Sequence, residues 1–81
     1  MRIDKFLNAT NVLKRRTLAQ DMCESGVVFI NDIKAKSSKE VKVGDIITIN
    51  LLESQKKYEV LAIPTSKNVP KSQSQMYVKT L

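Results

Sequence analysis

Ile3, Phe6 and Leu7 recur at the i, i+3, i+4 spacing of one helical face, with Arg2 and Lys5 on its solvated side. The spacing predicts a first helix over residues 2–9. The polar run "NATN" (8–11) stops it, because short polar side chains compete for backbone hydrogen bonds. A second stripe, Leu18, Ala19, Met22 and Cys23, has Gln20, Asp21, Glu24 and Ser25 opposite it and predicts a helix from Arg16 to Ser25. Gly26 stands where a capping glycine ends such a helix. After Gly26 the period shortens to that of strands. "VVFI" (27–30), the turn pair Asn31-Asp32 and "IKAK" (33–36) read as a hairpin. Asp32 tolerates a left-handed conformation less well than glycine, so a loose turn is expected. "VKVGD" (41–45) reads as a further turn, leading to strands over "IITINLL" (46–52) and "KKYEVLAI" (56–63). Helix, helix and about four short strands make an α+β arrangement.

Pro64 closes this unit. "PTSKNVPKSQSQ" (64–75) has Val69 as its only strongly apolar residue and reads as a flexible tail. "MYVKTL" (76–81) is apolar again and reads as a short strand or a helical turn. The organisation expected is therefore a folded domain over 1–63 and a polar tail over 64–81.

Composition narrows the chemistry. Eighty-one residues make one small domain, which buries only about 60% of the surface its unfolded chain exposes. Fourteen Lys+Arg against eight Asp+Glu favour a polyanionic partner, nucleic acid or an anionic surface. The absence of histidine removes the usual general base and the commonest metal ligand, and Cys23 has no second thiol for a disulfide or a zinc set. No metal and no cofactor is expected. No apolar run approaches the roughly 18–20 residues of a membrane span, and "MRIDKFL" is no signal peptide, so the expectation is a monomer in the cytoplasm with no membrane partner.

Lys14, Arg15 and Arg16 are three consecutive cations at the entrance of the second helix. A helix start carries partial positive charge, so each exposed cation there costs about 0.3–1 kcal/mol. Unpaired amides at helix starts bind anions, and a phosphate makes the placement favourable. Arg2 and Lys5 on the first helix extend the patch. Thr17 either donates its hydroxyl to the same phosphate or is an ordinary first-turn residue. Lys34, Lys36 and Lys39, with Ser37 and Ser38 between them, either touch RNA or keep an exposed strand soluble and unpaired. The bland alternative for the entrance is a solvated basic loop. Phe6 and Phe29 sit in apolar patterns and read as core, Tyr58 as part of the sheet, and Tyr77 as the one candidate for stacking on a base. Without an aromatic series, recognition should run through phosphate, shape and 2′-hydroxyl, as with folded RNA. Asp4, Asp21 and Asp45 lack partners for acid–base work: Asp4 reads as the partner of a nearby cation and Asp45 as part of the Gly-Asp turn. No enzyme is expected. A membrane-surface binder or adaptor would need an amphipathic basic helix, and an eight-residue first helix is thin support for one.

"RIDKFL", "RRTLAQDMCESGVVFIND" and "KVGDIITI" together resemble the S-four RNA-binding domain. That resemblance implies the αL fold, two helices packed on a small, bent antiparallel sheet. Among stand-alone members, "MRIDKFL", "LKRRTLA" and the late "MY" are most similar to the ribosome-quality-control group called RqcP. The resemblance implies a non-catalytic factor on stalled large ribosomal subunits, contacting 23S rRNA and tRNA and supporting C-terminal alanine tailing by an RqcH-type factor. The implied contact face is Arg2, Lys5, Arg15, Arg16 and Thr17. The alternatives are the heat-shock group, which recycles stalled large subunits, or a general binder of structured RNA. Two positions depart from the family pattern: Asp32 replaces the turn glycine, and Arg15 replaces the serine that caps the second helix.

Overall fold

The computed structural model describes residues 1–65 and 69–81. Two helices, α1 (Ile3–Ala9) and α2 (Arg16–Glu24), precede strands β1 (Val28–Ile30), β2 (Ile33–Lys34), β3 (Ile46–Asn50) and β4 (Gln55–Val60). A short 3-10 helix (Lys71–Met76) and a fifth strand, β5 (Val78–Thr80), complete the order. The strands form one antiparallel sheet in the order β2-β1-β3-β4-β5.

α1 turns Ile3, Phe6 and Leu7 to the interior, as the i, i+3, i+4 spacing requires. It closes where Thr10 donates both its amide (3.0 Å) and its hydroxyl (2.7 Å) to the Phe6 carbonyl. Asn11 then adopts φ +65°, a left-handed conformation that asparagine tolerates better than most residues. α2 buries Ala19 and Cys23 against α1 and ends in a Schellman motif. The Gly26 amide donates to the Cys23 carbonyl (3.0 Å) and the Val27 amide to the Met22 carbonyl (3.3 Å). Gly26 has φ +79°, and a β-carbon there would collide with Lys34 Cε. Leu18, expected on the buried stripe, is 44% exposed. It lies in the first turn of α2, whose buried residues are Ala19 and Cys23.

The sheet has one apolar face. Val28 and Ile30 of β1 pair with Ile49 and Ile47 of β3, and all four are buried with Phe6, Leu7 and Val60. Phe6 is wholly buried, so truncation to alanine is worth about 3–5 kcal/mol. Phe29, between Val28 and Ile30, points to the other face by strand alternation and is only half-buried; the expectation that it is core is corrected.

The hairpin turn is closed, not loose. Asn31 (φ +51°) and Asp32 (φ +66°) both lie in the left-handed region, the geometry of a two-residue turn that fits the strand twist. A latch offsets the missing glycine. Asn31 Nδ2 donates to Asp45 Oδ1 (3.1 Å), Asn31 Oδ1 accepts from the Ile46 amide (3.0 Å), and Asp45 Oδ2 accepts from the Lys42 amide (2.9 Å).

The sheet has five strands where the pattern gave four, because "MYVKTL" contributes β5, pairing Val78 with Val60 and Thr80 with Tyr58. The flexible stretch expected over 64–75 is corrected at its described ends. Pro64 and Val69 are buried, and the Val69 amide donates to the Ala9 carbonyl (3.1 Å). Residues 66–68 of that expectation lie outside the described residues. Val69 buries its side chain, and Asn11 bonds the Val69 carbonyl and Ser74 Oγ, which holds a stretch whose composition is otherwise polar.

Candidate nucleic-acid interface

The cations of the two helices meet at one buried carboxylate. Asp4 sits in the first turn of α1 and is 0% exposed. Its Oδ1 accepts the Lys5 amide at 2.7 Å. Its Oδ2 accepts from Gln20 Nε2 (3.1 Å) and Arg2 Nη2 (3.2 Å), and lies 3.6 Å from Arg16 Nε. Asp4, expected to pair with one nearby cation, has two, Arg2 and Arg16. Gln20, expected on the solvent side, is half-buried and reaches across to α1. Arg2 and Arg16 keep 43% and 45% of their side chains exposed, so both remain open to a ligand.

The entrance of α2 has the character its sequence suggests. Arg15 occupies the N-cap position with extended backbone, and no side chain caps the helix. The amides of Arg16, Thr17 and Leu18 have no partner among the described residues. Lys14, Arg15 and Thr17 are exposed around them, and none of the three makes an ion pair or side-chain hydrogen bond among the described residues. The loop carrying Lys14 is held by a residue that pattern reading took only as a helix stop. Asn8 Nδ2 donates to the carbonyls of Leu13 (3.3 Å) and Lys14 (3.2 Å). From the other side Asn11 Nδ2 donates to the Val69 carbonyl (2.7 Å) and Ser74 Oγ (2.8 Å). Uncapped amides beside three cations make a surface that a phosphate satisfies and water satisfies less well.

The hairpin lysines divide. The segment 36–40 runs alongside the start of α1, where the Ile3 amide donates to the Lys39 carbonyl (2.8 Å) and the Asp4 amide to the Ser37 carbonyl (3.4 Å). That brings Lys36 and Lys39 to the end of α1 that carries Arg2 and Asp4. Glu40 on this segment takes the Met1 ammonium at 2.7 Å, which holds its carboxyl below the usual carboxylate range. Lys34 lies instead over Gly26, at the far end of α2, roughly 13 Å along the helix from Arg16. Lys34, Lys36 and Lys39 are all exposed, with no acid within 4.0 Å among the described residues.

Other chemistry is thin. Cys23 is 3% exposed, and burial first, then the charges of Asp4 and Glu24, push its thiol up to about 11. It stays a neutral thiol near pH 7. Among the described residues no group of three or more His, Cys, Asp or Glu could hold a metal ion, and no helix is long and apolar enough to cross a membrane.

Known proteins share this sequence and shape. The S4 domain family model matches residues 1–47. The chain is similar to the RQC P-site tRNA stabilizing factor of Helicobacter pylori strain J99, 50% identical over 78 residues, which are 96% of this chain and 93% of that protein. The solution structure of a hypothetical protein superposes with a TM-score of 0.87 at 47% identity, covering 100% of this chain and 96% of that one. The trimeric structure of Vibrio cholerae Heat Shock Protein 15 superposes with a TM-score of 0.88 at 31% identity, covering 100% of this chain and 81% of that one.

Proposed function

Because the chain belongs to the S4 domain family and is 50% identical to an RQC P-site tRNA stabilizing factor, we propose that it is a non-catalytic RNA-binding factor of ribosome-associated quality control. It acts in the cytoplasm on stalled large ribosomal subunits, binds 23S rRNA and tRNA, and supports C-terminal alanine tailing by an RqcH-type factor. Arg2, Lys5, Lys14, Arg15, Arg16 and Thr17 form the principal RNA contact, with Lys36 and Lys39 beside them and Lys34 at its margin. One observation carries this reading: the start of α2 has no side-chain cap, and its Arg16 converges with Arg2 on the buried Asp4. Exposed amides and guanidinium groups in one place bind oxyanions, and folded RNA offers them at fixed spacing.

Cosedimentation with purified large ribosomal subunits tests the reading. Arg16→Ala is expected to weaken binding far more than Lys57→Ala, since Lys57 is an exposed lysine of β4 remote in sequence from the cluster. Equal losses would remove the special role of α2. Crosslinking in cells should return 23S rRNA and tRNA together; reads spread over messenger RNA would count against the proposal. The heat-shock recycling role is the second reading, favoured by the overlay on the Vibrio cholerae protein. The 50% identity to the P-site factor supports the first reading over it.

A further inference from the structure

On the basis of the function just proposed, we infer that Asp4 is a positioning residue for RNA binding, fixing with Gln20 which edges of the Arg16 and Arg2 guanidinium groups face the ligand. A carboxylate with no solvent contact needs donors around it to offset its lost hydration. Here Gln20 and Arg2 donate to the single oxygen Oδ2, Arg16 Nε pairs with it at 3.6 Å, and the Lys5 amide occupies Oδ1. Arg16 approaches through Nε, so both its terminal amino groups are left for another anion, and no other acid lies within 4.0 Å of it among the described residues. A guanidinium held at one edge presents the remaining fork in a fixed plane, the geometry that grips a phosphate by two parallel hydrogen bonds. Gln20 adds a neutral donor that keeps Oδ2 in place between the two arginines.

Charge alone makes the opposite forecast. Arg2, Arg16 and Asp4 together carry one net positive charge, two cations less one anion. Replacing the aspartate by asparagine raises this to two and strengthens long-range attraction for a polyanion. If Asp4 positions, the same replacement weakens binding, because arginines no longer held in place lose side-chain entropy on contact with the ligand.

The test measures affinity of the whole chain for total bacterial tRNA and for purified large subunits, with Asp4→Asn, Gln20→Met, Arg16→Ala and Asp4→Asn/Arg16→Ala. Asp4→Asn should bind about tenfold more weakly despite its added positive charge, the loss expected for one charge-assisted contact. Gln20→Met, which changes no charge, should shift affinity in the same direction by a smaller factor. In the double variant Asp4→Asn should cost much less than it does alone, because it acts largely through Arg16. If circular dichroism shows Asp4→Asn unfolded, Gln20→Met decides. Tighter or unchanged binding by whichever folded variant decides would overturn the positioning role while leaving the RNA-binding reading intact. Unchanged binding by Arg16→Ala would overturn that reading and this inference with it.

Discussion

Two basic regions lie on this molecule, and they differ in how their charges are held. Around Asp4 the cations are arginines: Arg2 is held by a hydrogen bond to the buried acid, and Arg16, at the start of α2, by an ion pair with it. Along 34–39 they are lysines whose backbone is anchored at Ile3 and Asp4 but whose ammonium groups have no partner among the described residues. Similar formal charge therefore comes with unequal order. Free lysines attract a polyanion and are screened beyond about 8–10 Å at ordinary salt. Held arginines offer a planar fork at low entropic cost, which suits docking over steering.

The sharpest way to break this comparison is to truncate one residue from each region. Arg16→Ala should lower affinity for large ribosomal subunits by roughly 10- to 100-fold, the range for a charge-assisted contact, whereas Lys36→Ala should lower it only about two- to threefold. Equal losses in cosedimentation would erase the distinction. Next in size is the backbone support of the two regions. Gly26→Ala should lower stability by about 1–2 kcal/mol in urea titration, because alanine resists the left-handed conformation and collides with Lys34 Cε. Lys34 is a flexible arm that can swing aside, so subunit affinity should move less than stability does. Asn8→Ala, which frees the carbonyls of Leu13 and Lys14, should cost about 1 kcal/mol and loosen the loop before Arg15, so affinity should fall together with stability. If Asn8→Ala and Gly26→Ala affect affinity alike, order at the α2 entrance is irrelevant to binding.

The last effect, on stability and outside both basic regions, concerns the core under α2. Cys23 has a folded-state pKa raised from 9.0 to about 11, so the fold favours the protonated thiol. Its contribution is complete below pH 9 and is lost as pH climbs through 9 to 11. Melting curves across that window should slope downward more in the parent protein than in Cys23→Ala. Identical slopes would mean that α2 packs more loosely on the core than it does here.

Local pattern made much of this legible. Period 3.6 found both helices, Gly26 marked the end of the second, and alternation with turn residues found the first four strands. Three adjacent cations at a helix entrance marked the candidate interface without any contact information. What stayed hidden depends on residues far apart in the chain. The Asp4 carboxylate is buried where it meets Arg2 and, from α2, Gln20 and Arg16, and no spacing within α1 encodes that. Gln20 reads as solvent-facing on its own helix until α1 is laid against it. The docking of the C-terminal segment depends on Asn11 meeting Val69 and Ser74, 58 and 63 positions later, so composition alone suggested disorder. The hairpin turn misled for a similar reason: Asp45, fourteen positions from Asn31, supplies the restraint that a glycine would have made unnecessary.

Those far-apart contacts also set an order of assembly. Each helix, the β1–β2 hairpin and the β3–β4 pair join near neighbours, whereas Ile3 must find Lys39, 36 positions on, and Ala9 must find Val69, 60 positions on. Closing such long loops is the slow part of reaching a compact state. Competence to grip a polyanion should consequently lag behind helix formation in a refolding experiment, arriving only when the amino-terminal turn is sealed beneath the crossing strap.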